Sequence, residues 1–502
     1  MKKMKMSRAE KKAYLGKIEE VIKNGKYKDN WDSLKNIEVP EWYINGKFGI
    51  FSHWGVYSVP AFGNEWYPRA MYQEGSNEYK HHIETYGEHK NFGYKDFIPM
   101  FKAEKFDPEE WIDLFEKAGA KFIVPVAEHH DGFQMYKSDI SSWNSFDKGP
   151  KKDIVGELKT AAEKRDIRLG VSSHRIEHWW FMNGGKKFDS DMSGNLKEGG
   201  LYWPSIQENE DLSETNPLTF MQSGYEYLSK KFAEDWLIRC CELVDKYKPA
   251  TFFFDWWIQV KPLKPYLKKF AAYYYNKMSE WGKIGIIHYK FDAMAFGTAV
   301  LDIERGQSGE LKAFPWQTDT SIARNSWGYT ENNNFKTSAE ILRDLVDIVS
   351  KNGCMLLNVG PKSDGTITDE EKKVLLEIGG WLKINGEAIY NTKHFKIFGE
   401  GPTEVKEGGF TDSEEKIFTS GDIRFTQNGG SLYASVLSYP ENGEINIKSL
   451  GKKSNVFSGF IKDISVLGFN EKPEFELFDD KLTLKTKSVK SVNPVVFKIM
   501  ID

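Results

Sequence analysis

At 502 residues, with 69 Lys+Arg against 73 Asp+Glu, the chain carries a formal net charge of -4. That length exceeds one ordinary core, so two domains plus an extension are expected, and the charge balance offers no basis for a nucleic-acid partner or a polybasic membrane anchor. Aromatics make up 15% of the chain, with 16 Trp and 23 Tyr, flat amphipathic faces that suit sugar rings as well as core packing.

From the N-terminus, residues 1 to 38 read as a charged helical extension. "SRAEKKAYLGKIEEVIKNG" is equally suited to packing on a neighbouring domain and to self-association. The basic start is followed by no apolar segment and no small-residue cleavage site, and no run of 18 apolar residues occurs, so neither a secretory leader nor a membrane span is expected and the expected location is cytoplasmic. "KFGIFS" then opens a series of short apolar runs, each followed by a polar loop and, in the expected rhythm, by an amphipathic helix. "KFGIFS" leads to His53, "KFIVPVA" to "EHHDGF", "IRLGVSS" to "HRIEHWW", "ATFFF" to Asp255, "KIGIIHY" to Lys290 and "CMLLN" to "VGPKSDG". Between them, "DPEEWIDLFEKAGA" has Asp107 as N-cap, Pro108 at the first helical position and Gly119 near its end. "SAEILRDLVDIVSKNG" sets Ile341, Leu342, Leu345, Val346 and Val349 on one face.

The runs show no period-2 alternation, which argues a parallel sheet covered on both faces. Polar residues follow many different strands rather than one switch point, so a (β/α)8 TIM barrel is expected over residues 39–396, with its site at the C-terminal ends of the strands. Beyond it the texture changes to short runs separated by turns. "QNGG" between two of them is a hairpin signal, and residues 397–502 read as a C-terminal β-sandwich without chemistry of its own. The three cysteines, Cys240, Cys241 and Cys354, build neither a disulfide framework nor a metal cluster.

Asp255 ends a Phe-rich run and precedes Trp256 and Trp257. A carboxylate in so dry a setting needs a partner or a task, and a loop-ordering cap is the plain alternative. Glycoside cleavage needs two carboxyl groups flanking the bond. "TAVLDIERGQSGE" supplies Asp302, Glu304 and Glu310, and Glu304 lies where a strand runs out into a glycine-containing loop; an ion pair with Arg305 or another surface cation is the other use for it. His129 and His130 are neighbours, so both reach one ligand only if the chain has left the strand by then. No third metal ligand stands at a recognisable spacing. With His53, Glu65 and Trp66 they form a polar cradle walled by aromatics.

Together "FGIFSHWGVYSVPAFGNEWY", "EHHDGF", "DWW", "SIARNSWGY" and "LLNVGPKSDGTITDEE" resemble the α-L-fucosidases of glycoside hydrolase family 29, in order and spacing, over residues 40 to 395. The resemblance implies a barrel with a C-terminal β-sandwich, retaining hydrolysis of terminal α-L-fucosides on fucosylated glycans, and no metal or organic cofactor. It implies Asp255 as nucleophile and Glu304 as general acid/base, with Glu310 close by. His53, Glu65, Trp66, His129 and His130 would hold the sugar hydroxyls, and Phe51 and Trp327 would pack on the C6 methyl group. Two departures stand out. A family "YYS" segment is "VSSHRIEHWW" here, so that His174 or Glu177 replaces a tyrosine contact, and Lys290 stands where an arginine is common, without the planar fork of donors. A retaining glycosidase of the same barrel acting on another sugar such as a galactoside, and a carbohydrate-binding protein that has lost catalysis, are the competing readings.

Overall fold

The computed structural model describes residues 5–194, 196–206, 228–414 and 416–502. Eight strands, β1 (Phe48–Ser52), β2 (Phe122–Glu128), β3 (Arg168–Ser173), β4 (Thr251–Phe254), β5 (Ile286–Lys290), β6 (Val300–Glu304), β7 (Trp316–Ser321) and β8 (Gly353–Val359), close into a barrel in sequence order. Every neighbouring pair is parallel, including the closure of β1 on β8. The expected barrel is therefore present.

Alternate residues of each strand point inward, and this parity positions the site. Phe51, Val124, Val126, Phe253, Ile286, Val300, Cys354 and Leu356 share one buried cluster inside the barrel. Two residues further along their strands, the same parity yields His53, Asp255, His288, Asp302 and Asn358, all buried. The barrel thus carries an apolar plug below and a polar layer above it. Tyr43, from the short helix Glu41–Gly46, closes the bottom and donates its hydroxyl to Gln317 Oε1 at 3.0 Å.

Outside the barrel, helix Pro108–Lys117 starts as expected, with the Asp107 carboxylate accepting from the backbone N–H groups of Glu109 and Glu110. Helix Ser338–Ser350 is capped by a reciprocal Thr337–Glu340 pair and buries the predicted apolar face. The strand–loop–helix rhythm breaks twice, because residues 291–299 and 305–315 hold no helix. Both connections are short and interrupted by Gly297, Gly306, Gly309 and Pro315, which leaves no room for a packed crossover helix. The N-terminal helix Arg8–Asn24 buries Ile18 and Ile22 and lies on helices Lys230–Tyr247 and Lys264–Glu280. Lys11 reaches Asp235 at 3.0 Å, and the Tyr14 hydroxyl donates to Asp245 at 2.8 Å. Of its two expected uses, packing on the barrel is the one seen.

The C-terminal part is a sandwich of a five-stranded and a three-stranded antiparallel sheet around its own apolar cluster. Its first strand, β9 (Lys393–Glu400), begins four residues before the expected boundary at 397. The predicted hairpin joins β10 (Ile423–Asn428) to β11 (Ser431–Val436), with Asn428 paired to Ser431 and Gly429 at φ +57°. Only a residue at ease in the left-handed region suits that two-residue turn. Cys240, Cys241 and Cys354 are buried free thiols. Among the described residues, no helix is long and apolar enough to cross a membrane.

Candidate active site

A cavity of about 460 Å³ opens at the C-terminal ends of the strands, where a barrel places its chemistry. His53, Glu65, Trp66, His129, His130, Asp255, Glu304 and Trp327 all line it. Phe51 does not. Parity sets it one layer below His53, fully buried, with its ring 4.5 Å from the His53 ring and 6.2 Å from Trp327. It supports the wall rather than forming it. Glu310 is exposed and outside the cavity, so of these two glutamates Glu304 is the one at the mouth.

Asp255 follows β4 directly and continues the inward parity of Phe253. Its Oδ2 lies 3.1 Å from His174 Nδ1 and 3.7 Å from His130 Nε2. His174 Nε2 is 2.5 Å from the Ser172 hydroxyl. An ionised carboxylate can only accept, so Nδ1 carries a proton and donates it to Asp255. Burial alone would raise the Asp255 carboxyl, but His174, the Lys290 ammonium and His130 outweigh it and hold the group well below the usual carboxylate range. Asp255 is ionised, aimed and desolvated. The "VSSH" departure thus supplies a donor to the carboxylate.

Across the mouth, Glu304 Oε2 is 3.3 Å from Lys290 Nζ. That ammonium also meets Asp302 at 3.0 Å and Asp319 at 2.9 Å. One buried cation is shared among three carboxyl groups, so it offsets the burial of each only in part. Burial pushes Glu304 up to about 8; Lys290 opposes the shift, and the negative charges of Asp255 and Asp319 add to it. Burial and Asp302 likewise drive Asp319 well upward. The shared carboxylates outweigh burial at Lys290 and keep it charged. Arg305 leaves Glu304 alone and pairs with Asp412 at 3.2 Å. Two carboxyl groups at one mouth therefore hold opposite protonation states, the division that acid/base chemistry requires.

The cradle is ordered by bonds from behind. Asn358 Oδ1 accepts from the His53 backbone N–H at 3.0 Å and lies 2.8 Å from His53 Nδ1, which fixes the ring proton there and leaves Nε2 as an acceptor. Glu65 Oε2 accepts from the Trp327 backbone N–H at 2.8 Å and from the Ser326 hydroxyl at 3.1 Å. A register irregularity after Val126 turns the chain at the end of β2, so both His129 and His130 reach the cavity, with ring centroids 4.2 Å apart. Burial lowers the pKa of His53, His129 and His130, keeping them neutral at neutral pH. Glu177, 3.3 Å from His130 Nδ1, is driven well upward by burial and by Asp255 and is a neutral acid. Neutral imidazoles are donor–acceptor pairs suited to sugar hydroxyls.

Nitrogens of His53, His129 and His174 lie within 4.8 Å of one another, as do atoms of His130, His174 and Asp255. His174 belongs to both groups, and both of its nitrogens are already engaged by Ser172 and Asp255. The histidines read as a hydrogen-bonding set.

Sequence reasoning did not find Asn358, Asp319 or the rim residues Arg69, Gln73, Trp180, Phe291 and Phe410. Asn358 and Asp319 were available from parity: each sits on the inward register of β8 and β7. Phe410 had no signal, since it comes from the C-terminal domain.

Comparisons with known proteins give the chain its relatives. The α-L-fucosidase family profile matches residues 15–387. The chain is 33% identical over 430 residues to human tissue α-L-fucosidase, covering 84% of this chain and 81% of that protein. It is 30% identical over 437 residues to human plasma α-L-fucosidase, covering 84% and 80%. The structure of Thermotoga maritima α-fucosidase in complex with a mechanism-based inhibitor superposes with a TM-score of 0.74 at 30% identity, over 94% of this chain and 100% of that one.

Proposed function

The chain belongs to the α-L-fucosidase family, and we propose that Asp255 and Glu304 carry out its retaining hydrolysis of terminal α-L-fucosyl residues. The observation that supports these roles is the opposite protonation of the two carboxyl groups lining one cavity. In the first step an Asp255 oxygen attacks C1 of fucose while Glu304 gives its proton to the departing glycosidic oxygen. The C1–O bond breaks, the leaving group departs as an alcohol, and a covalent fucosyl-Asp255 ester remains. In the second step the Glu304 carboxylate takes a proton from water as the water oxygen attacks C1. Asp255 is released as a carboxylate, Glu304 regains its proton, and fucose leaves with its configuration retained.

His53, His129, His130 and Glu65 bind and orient the ring hydroxyls. Trp327 offers the apolar wall for the C6 methyl group, held by the Arg305 guanidinium 4.5 Å from its ring centre. His174 holds the carboxylate in line without touching the leaving group. Replacing Asp255 by Ala tests the nucleophile. Hydrolysis of an aryl α-L-fucoside should fall by at least about 10³-fold, with azide, a small anion that fits the vacated space, restoring turnover. An Asp255→Ala variant as active as wild type would refute the assignment.

A further inference from the structure

Two phenylalanines at the rim are in an unusual state. Phe291 directly follows Lys290 at φ +54°, and Phe410 stands at φ +57°. Bulky residues rarely occupy the left-handed region, because the Cβ crowds the backbone there. Both are also exposed, Phe291 at 37% and Phe410 at 60%, so core packing does not compensate. They come from distant parts of the chain, one from the loop after β5 and one from the C-terminal domain, yet both line the active-site cavity. Strain and exposure concentrated at one mouth point to a ligand.

The chain around Phe410 is firmly held. Its backbone N–H donates to the Glu304 carbonyl at 2.8 Å, and the N–H groups of Thr411 and Asp412 donate to the Arg305 carbonyl at 2.8 Å. Gln307 and Gly408 exchange backbone hydrogen bonds at 3.3 and 3.1 Å. Gly306 passes so close to the Gly408 carbonyl that a Cβ would not fit. The Asp412 carboxylate accepts from Lys336 at 2.6 Å and from the Thr320 hydroxyl at 2.8 Å. A strap of the C-terminal domain therefore lies where the loop after β6 has no helix, and it presents Phe410 beside the residue that would protonate the leaving group.

We propose that Phe410 and Phe291 form the leaving-group subsite, an aromatic platform that stacks on the C–H face of the pyranose to which fucose is attached. This rests on the α-L-fucosidase reading. The acid must meet the oxygen shared by the two sugars, so the second ring lies next to Glu304, and an aromatic residue whose backbone is bonded to the Glu304 carbonyl is placed to receive it. The sandwich domain thereby takes part in choosing the aglycone.

The test compares two substrates, a fucosyl disaccharide with a pyranose leaving group and α-L-fucosyl fluoride, whose leaving group has no ring to stack. Phe410→Ala and Phe291→Ala should each lower the ratio of kcat/KM on the disaccharide to kcat/KM on the fluoride about tenfold, and Phe410→Trp should restore it. Phe410→Gly should lower the same ratio while leaving the unfolding midpoint no lower than wild type, because it relieves the backbone and removes no buried contact. Equal losses on both substrates would overturn the subsite in favour of a general support of Glu304. An unchanged ratio, or a lowered midpoint in Phe410→Gly, would overturn it as well. A wild-type enzyme inert toward the fluoride would instead refute the fucosidase reading, and the subsite with it.

Discussion

The two sides of the barrel mouth make an instructive pair. Asp255 and Glu304 both end barrel strands on the inward parity, both are desolvated, and both feel Lys290. Yet one is held ionised and the other protonated. On the Asp255 side, the His174 ring donates to the carboxylate and a second imidazole stands nearby. On the Glu304 side, one ammonium is divided among Glu304, Asp302 and Asp319. Burial is common to both, so it cannot set the difference. The number of carboxyl groups per cation and the placement of donors decide where the proton sits.

That comparison can be broken from either side. The largest effect is expected from Glu304→Gln, which removes the proton given to a poor leaving group: kcat/KM on a fucosyl disaccharide should fall by about 10²–10⁴-fold, far more than on a substrate with a good leaving group. In the wild type, activity should decline as pH rises through about 8, because the protonated form of a carboxyl raised to that value is the active one. In Glu304→Gln that alkaline limb should vanish from the pH–rate profile.

Lys290→Met attacks the shared cation. Asp302 and Asp319 lose their buried partner, and urea unfolding should show a loss of about 3–5 kcal/mol. The surviving Glu304 loses the ammonium that opposes its rise, so the alkaline limb of any remaining activity should move to higher pH. The smallest effect belongs to His174→Phe. Loss of a hydrogen bond to a charged group lowers kcat by about 10- to 100-fold. Asp255 is then held down less strongly, so the acidic limb of the profile should move to higher pH.

Much of the barrel was legible because its inner strands are apolar runs that end in polar residues. "TFFFD" shows this plainly: Phe252 and Phe254 face the helices while Phe253 and Asp255 face inward. Strand β7 was not legible. "WQTDTS" contains no apolar run, since its inward Gln317 and Asp319 serve Asp302 and Lys290 rather than a hydrophobic core. Phe51 was expected at the ligand, and the period of two residues along β1 places it behind His53 instead. The breaks in the helical rhythm around β6 were written in Gly306, Gly309 and Pro315, but the covering strap was not. Many of its contacts are backbone hydrogen bonds between segments far apart in the chain, and such bonds leave no pattern in side-chain type.

The most direct test of the central claim is to trap the covalent intermediate. A 2-deoxy-2-fluoro-fucosyl fluoride slows both steps by destabilising the cationic transition state, and a good leaving group preserves the first, so the ester accumulates. Digestion and mass spectrometry should find one fucosyl adduct, on the peptide containing Thr251–Trp257 and on Asp255 within it. An adduct on Glu304 or Asp319, or turnover without any adduct, would contradict the account.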